Sequence, residues 1–457
     1  MSGTPMRGLR ALGAAIRAGE LSPTEHVTEV LDRLAADPHH AVITLDAERA
    51  LAQAAALTAE LADGRYRGPL HGVALGVKDL IDVAGLPTRA GSVVLADAPP
   101  ATADAPVVAA LRAAGAIVVA KLHTHEFAYG PTGDVAATGP ARNPHDPSRI
   151  TGGSSSGSAA AVAAGHLALA LGTDTGASVR TPAALCGVVG LKPAFGRLPT
   201  TGVFPLSETC DHVGLLTPDV DSAALAWDAL APPASPNPRP DLLSAGAVRA
   251  ACAGLRVGTL GDGYWQAADP TLNAAAAGAA DALAAAGARV VELRTPMIDE
   301  LAACYPEIVG AEAYATHARW LAERPQDYQP LTRDRLLPFA EQPAHRYVTA
   351  LRDRRRLVDE LRAAVYGVDV LVLPTTRLRA TPIGAGEVQV GGATVPVRSS
   401  MLALTLPFNL TGWPAVSVPG RIAPDAPDPG LPAGIQLVGV TRDELGLLAV
   451  AAALAGA

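Results

Sequence analysis

ITGGSSSGSAAAVAAG, residues 150–165, sets three consecutive serines between glycines. Three readings of it compete. Gly153, Ser155 and Gly157 spell G-x-S-x-G, the nucleophile elbow, but that motif requires a strand running directly into the serine. Here the preceding NPHDPSRIT is polar and broken by proline. Gly152 and Gly157 have the spacing of a phosphate loop, yet Ser158 and Ala159 stand where its Lys and Ser/Thr belong. The third reading couples this stretch to LGTDTGASVR, residues 171–180, where small residues surround Ser178. Small residues let successive backbone N–H groups converge on one point, which is how an oxyanion pocket is built. Ser178 is then a candidate nucleophile. Such a hydroxyl needs a base, and the one nearby histidine, His166, is expected inside a helix, which turns attention to lysine.

Lysine is scarce. Of 36 basic residues only Lys78, Lys121 and Lys192 are lysines, and each sits in an apolar run: GVALGVKDLIDV, AIVVAKLHTHEF and CGVVGLKPAFG. Arginine does not give up its proton in a protein, whereas a desolvated lysine does, so a general-base amine is a role arginine cannot fill.

Composition narrows the class. The 457 residues are 49% hydrophobic and 18% charged, without an apolar run long enough to span a bilayer. The N-terminal stretch lacks an apolar h-region and a cleavage site, so a cytoplasmic address is expected. Net charge −8 argues against direct nucleic-acid binding. Cys186, Cys210, Cys252 and Cys304 are too far apart for a zinc pair or compact disulfide framework, and buried free thiols are expected.

Along the chain, Ser22, Pro23 and Glu25 form a capping box opening a helix over 22–35. A second helix follows near 46–63, then a buried strand ending near Lys78. PVVAALRAAGAIVVAKL reads as helix, Gly115 stop, strand. Residues 232–240, PPASPNPRP, are the best linker candidate. Beyond them come a strand, a helix capped by Asp269 with Pro270 at N1, and a strand. Helices over about 299–366, including the charge-laced LRDRRRLVDELRAAVYG as a solvated face, precede the strands VDVLVLPTT and WPAVSVPG and a terminal helix. This alternation predicts an α/β fold.

GGSSSGSAAAVAAG, then GTDTGASVRTPAALCGVVGLKP, with GVKDL upstream and FNLTGWPAVSVPG and PAGIQLVG downstream, resembles the amidase signature family of amide hydrolases. The resemblance implies a central mixed β-sheet covered on both faces by α-helices. It implies one domain over 1–457, with a variable lobe at about 241–400 shaping the substrate pocket and the core resuming at about 401–457. By position it makes Ser178 the acylated nucleophile, Ser154 the bridging serine after a cis peptide bond, and Lys78 the base. Backbone N–H groups of Thr175, Gly176, Ala177 and Ser178 would be the oxyanion donors. Asp174 and Arg180 would pair to hold the loop, with Ser155 supporting it. Lys121 and Lys192 keep structural roles. Phe127 and Tyr129 of KLHTHEFAYG, and Tyr314, Trp320, Tyr328 and Leu336 of the variable lobe, are pocket candidates. Ala177 stands where many members carry a second glycine, Ala194 where Thr is usual after KP, and VGLL where GP is frequent after Asp211.

The expected reaction is hydrolysis of a small or aryl amide through an acyl-enzyme, without cofactor or metal; the same acyl transfer extends to esters and carbamates (urethanes). Two alternatives stand beside it. His123 and His125 at a strand's end resemble part of a metal hydrolase site, which would need further ligands. The amidase subunit of a glutamine-dependent aminoacyl-tRNA amidotransferase resembles the chain throughout its core, with partner subunits handling tRNA. Family members are often dimers, so a homodimer is compatible with the resemblance.

Overall fold

A computed structural model describes residues 8–231 and 241–454; the linker expected at 232–240 lies outside them. The strands are β1 (Val42–Leu45), β2 (Ala74–Lys78), β3 (Ile117–Leu122), β4 (Ala170–Asp174), β5 (Val189–Lys192), β6 (His212–Thr217), β7 (Arg256–Leu260), β8 (Arg289–Leu293), β9 (Val370–Pro374), β10 (Glu387–Val390), β11 (Ala393–Pro396), β12 (Ala415–Gly420) and β13 (Ala433–Gly439). Eleven of them form one sheet in the order β1-β3-β2-β4-β6-β5-β12-β13-β9-β7-β8, and β10 pairs with β11 in a separate hairpin. The large sheet is mixed. β2 runs parallel to β3 and β4, and β7 parallel to β8 and β9, while the strands between, from β6 through β13, pair antiparallel.

Period-2 alternation decides what each face buries. Val370 and Val372 of β9 join one apolar cluster with Leu75 and Val77 of β2, whereas Leu371 and Leu373 join another on the opposite face. Ala74 of β2 and Ile117 and Val119 of β3 enter a third, against the helices Pro23–Ala35 and Ala47–Ala62. Both faces are thus covered, as an α/β sheet with continuous apolar strands requires. Segment 241–400 adds β7, β8 and β9 to the same sheet.

Local signals reappear in place. Ser22 accepts from the Glu25 N–H while the Glu25 side chain accepts from the Ser22 N–H. Asp269 caps the helix Pro270–Ala285, and the four cysteines are buried free thiols. Two expectations need correction. His166 lies beyond the helix Ser156–Ala163, past the positive-φ Gly165 that stops it, and pairs with Asp37 at 3.2 Å. In the helix Ala344–Ala364, Arg354 turns inward and donates to the Leu410 carbonyl at 2.8 Å and the Thr209 carbonyl at 3.2 Å, so that face is not wholly solvated. The β10–β11 hairpin was not foreseen; its strands are only four residues each.

Candidate active site

Lys78 is the last residue of β2 and Asp174 the last of the parallel neighbour β4, so both strands deliver their C-terminal ends to one edge. The serine stretch enters the helix Ser156–Ala163 at the same edge. Gly157 makes the approach close: a Cβ there would overlap the Ala41 carbonyl and the His123 N–H.

Lys78 is fully buried, and its Nζ donates to Ser154 Oγ at 2.7 Å and Thr173 Oγ1 at 2.8 Å. Burial pushes this ammonium well below the ordinary lysine range, outweighing the fields of Asp174 and Asp211. The Gly153–Ser154 peptide is cis. Ser155 N–H donates to the Ser178 carbonyl at 3.1 Å, which joins the two serine loops directly. Ser155 Oγ sits 3.2 Å from both the N–H and the carbonyl of Thr173, Ser156 Oγ meets His123 Nδ1 at 2.7 Å, and Ser158 Oγ donates to the Leu171 carbonyl at 2.9 Å. Of the serines at 154–156, only Ser154 touches the lysine.

The loop Thr175–Ser178 follows β4 and leads into the helix Arg180–Cys186. Among the described residues, no acceptor takes the backbone N–H groups of Thr175, Gly176, Ala177 or Ser178. A buried network holds the loop in shape. Asp174 and Arg180, both fully buried, pair through Nη2 at 2.8 Å and Nε at 3.0 Å. Asp174 Oδ2 also accepts the Val179 N–H at 3.1 Å and the Arg180 N–H at 3.3 Å. Burial alone would raise the Asp174 carboxyl; the Arg180 charge and hydrogen bond outweigh it and hold it well below the usual range. Arg180 spends its remaining donors on Gln436 Oε1 at 2.7 Å, Asn409 Oδ1 at 2.6 Å and the Thr405 carbonyl at 2.9 Å. Asn409 and Gln436 belong to FNLTGWP and PAGIQLVG, so these distant motifs close on the loop. Ala177 is buried and outside the left-handed region, so its methyl fits where a glycine is commoner. At Gly176 a Cβ would overlap the Tyr305 phenol.

Thr175 Oγ1 donates to Asp211 Oδ1 at 2.5 Å, and Asp211 Oδ2 accepts the N–H groups of Leu206 and Ser207 at 2.9 and 3.0 Å. Burial lifts this carboxyl to about 6 against those hydrogen bonds. Lys121 pairs with Asp79 at 3.1 Å, and Lys192 donates to the Pro193 and Trp413 carbonyls. The imidazole of His123 is occupied at both nitrogens, by Ser156 Oγ and the Gly139 carbonyl, and His125 Nδ1 accepts the Gly133 N–H at 3.3 Å.

A small cavity opens beside Ser178, lined by Tyr129, Thr175, Leu206, Tyr305, Arg398 and Leu402 among others. Of the pocket expectations only Tyr129 is there. Phe127 is wholly buried in an aromatic cluster, with ring centroids 4.4 Å from His317, 5.4 Å from Tyr328 and 6.5 Å from Trp320. Tyr314 and Leu336 pack in the same apolar region. An aromatic ring in a sequence reads equally as pocket wall or core, and a scarce aromatic set gathers into core first. Tyr305, Thr173, Asp211, Asn409, Gln436 and Arg398 were not singled out as site residues. Thr173 lies inside LGTDTGASVR, Asn409 inside FNLTGWPAVSVPG and Gln436 inside PAGIQLVG, and those motifs carried a signal that could have found them.

The amidase family profile matches residues 25–448. The chain is 41% identical to AtzE of Pseudomonas sp. (strain ADP), named as a subunit of 1-carboxybiuret hydrolase, over 87% of this chain and 86% of the relative. It is 34% identical to a glutamyl-tRNA(Gln) amidotransferase subunit of Nitratidesulfovibrio vulgaris (strain DP4), over 98% and 96%. Among solved structures, the peptide amidase of Stenotrophomonas maltophilia superposes with a TM-score of 0.82 at 30% identity, covering 98% of this chain and 96% of that one. With its mixed sheet and its paired serine loops, the chain belongs to the amidase signature family and is an amide-hydrolysing enzyme, a hydrolase of carbon–nitrogen bonds.

Proposed function

We propose that the chain hydrolyses a small amide through a covalent acyl-enzyme on Ser178, with Ser154 and Lys78 as proton relay. The observation that carries this reading is a buried lysine 2.7 Å from Ser154, in a loop bonded to the carbonyl of Ser178. Burial disfavours the charged form of an amine, which lets Lys78 act in its neutral form and accept a proton. Neutral Lys78 takes the Ser154 proton as Ser154 takes that of Ser178, so Ser178 Oγ attacks the amide carbon without a free alkoxide forming. Thr173 Oγ1, also within reach of Nζ, orients the amine by accepting one of its two hydrogens.

The developing oxyanion meets the unengaged N–H groups of the Thr175–Ser178 loop, held by the Asp174–Arg180 pair; donors fixed in advance cost no reorganisation when charge appears. The relay then delivers its proton to the leaving nitrogen, the C–N bond breaks, and water attacks the acyl-enzyme by the same route reversed. The lobe over about 241–400 contributes Tyr305 and Arg398 to the cavity and so sets the substrate. The cavity's small size and a relative named for 1-carboxybiuret favour a compact amide over an extended aryl one. Esters and carbamates follow the same acyl transfer.

A second reading rests on names: two relatives are called subunits. In it the chain serves as the amidase subunit of an amidotransferase-like or other complex. The test is release of the leaving group, ammonia, amine or alcohol, from a primary amide, an anilide, an ester and a carbamate, with wild type and Ser178→Ala, with and without chelator. Turnover lost in the variant and untouched by chelator supports the relay; activity that survives Ser178→Ala and dies with chelator overturns it.

A further inference from the structure

Asp211 is buried beside the nucleophile and is not among the relay groups. It stands one residue before β6, whose His212 pairs in register with Asp174, the residue before Thr175. That register sets one carboxylate against two walls of the cavity. Its Oδ1 accepts from Thr175 Oγ1 at 2.5 Å, and its Oδ2 accepts the N–H groups of Leu206 and Ser207 at 2.9 and 3.0 Å. Thr175 and Leu206 both line the cavity with Ser178. The same turn is tied to the lobe, where Ser207 Oγ donates to Glu312 Oε2 at 2.5 Å.

A hydroxyl has one hydrogen to donate and two lone pairs to accept with. All three partners of the Asp211 carboxylate act as donors, which suits its ionised form. Burial raises this carboxyl to about 6, with Glu312 adding to the rise and the three hydrogen bonds opposing it, so at mildly alkaline pH it is ionised. The Thr175 hydrogen is then committed to Asp211, and any polar contact its oxygen makes toward the cavity is as an acceptor. The backbone N–H of Thr175 is unengaged. One residue thus presents a donor and an acceptor together.

We infer that this pair recognises the O=C–N–H edge of a primary amide, and that ionised Asp211, by fixing the Thr175 hydroxyl as an acceptor, is the positioning residue behind that choice. This rests on Ser178 being the nucleophile and on the Thr175 N–H serving the oxyanion. A primary amide carries one N–H on the same side as its carbonyl oxygen. An ordinary secondary amide places its substituent there, and an ester has no N–H to offer. With the carbonyl oxygen on the Thr175 N–H, the remaining N–H of that edge completes the pair with Oγ1. A site built around a substrate hydrogen rejects the analogue that lacks it, because the enclosed acceptor then goes unmatched. The leaving group is ammonia. The Ser178 Oγ–C bond forms, the C–N bond breaks as the relay proton reaches nitrogen, and water releases the acyl group as a carboxylate.

The test compares kcat/KM for butyramide, N-methylbutyramide and methyl butyrate, and for the matching benzoyl set, on the full chain at mildly alkaline pH. Fluorophosphonate labelling of Ser178 is a separate readout. In wild type the primary amide exceeds the N-methyl amide by about tenfold to a hundredfold, the scale of leaving an enclosed acceptor unmatched. Asp211→Asn keeps the shape of the side chain. The Leu206 and Ser207 N–H groups hold its carbonyl end, so its NH2 end donates to Thr175 Oγ1 and turns the hydroxyl hydrogen toward the cavity. The primary amide then loses a similar factor while the ester falls far less, whereas a merely structural role lowers both together. If Asp211→Asn fails to fold, Thr175→Val replaces it and gives the same selective loss; Thr175→Ser keeps the wild-type preference. Equal turnover of primary and N-methyl amides, or equal losses of amide and ester in the variants, overturns the inference while labelling leaves the nucleophile standing. So does a wild type whose Ser178 is labelled but which hydrolyses neither primary amide. Hydrolysis with Ser178 left unlabelled overturns the nucleophile reading and this inference with it.

Discussion

Lys78 illustrates how a side chain's chemistry follows from where its strand ends. The amine is fully buried and 2.7 Å from a serine hydroxyl, and burial favours its neutral form in the folded chain. The unfolded chain holds that proton up to the ordinary lysine range. Between the lowered value and that range the unfolded state binds more protons, so stability rises with pH through the window. Lys78→Met therefore melts higher than wild type at pH 7 in a thermal scan, while losing activity. In the free enzyme kcat/KM should rise with pH along a limb well below the ordinary lysine range as Lys78 deprotonates; Lys78→Arg, always protonated, should be reduced about 10²–10⁴-fold at every pH. A pH profile without that limb removes Lys78 as base. Ser178→Ala is expected to lower kcat by about 10⁴-fold or more, since members of such a unit fail together. Lys78 was legible in the sequence because lysine is rare in this chain, whereas Arg398 was one arginine among 33, and only packing reveals that it lines the cavity beside Ser178.

At the scale of elements, the site depends on loops pinned to strand ends by side chains from far along the chain. Arg180 ties the Thr175–Ser178 loop to Asn409 and Gln436, more than two hundred residues away. Arg180→Ala strands Asp174 as a buried, unpaired charge and should cost about 3–5 kcal/mol in chemical denaturation; a loss below 1 kcal/mol would mean the network is not under tension. The serine helix depends on Gly157, whose missing side chain admits the main chain of Ala41 and His123. Both neighbours are backbone and cannot swing away, so Gly157→Ala should destabilise by roughly 1–3 kcal/mol or more, read as a lowered melting temperature. The capping box at Ser22, the Gly115 stop and the Asp269 cap were readable because each is local chemistry. The antiparallel middle of the sheet, the β10–β11 hairpin and the inward turn of Arg354 were not, because each is decided by partners distant in sequence.

For the whole molecule, one eleven-stranded sheet carries both the signature segment and the 241–400 region, so the lobe proposed to set the substrate shares a frame with the groups assigned to chemistry. This predicts that the purified chain turns over a small amide without added subunits; activity that appears only on co-expression with a copurifying partner would favour the subunit reading. The signature motifs, spread from GVKDL to PAGIQLVG, made the fold legible almost from end to end. The pocket was not, since Phe127 and Trp320 became core and Tyr305 and Arg398 became wall. The central claim is a covalent bond at Ser178, and the most direct measurement is peptide mass spectrometry of wild type and Lys78→Ala quenched during turnover of an activated ester or anilide. The account predicts an acyl adduct on Ser178, formed and cleared quickly in wild type and slowly in the variant. Product formation with no adduct, or with the adduct on Ser154 or Ser156, would contradict it.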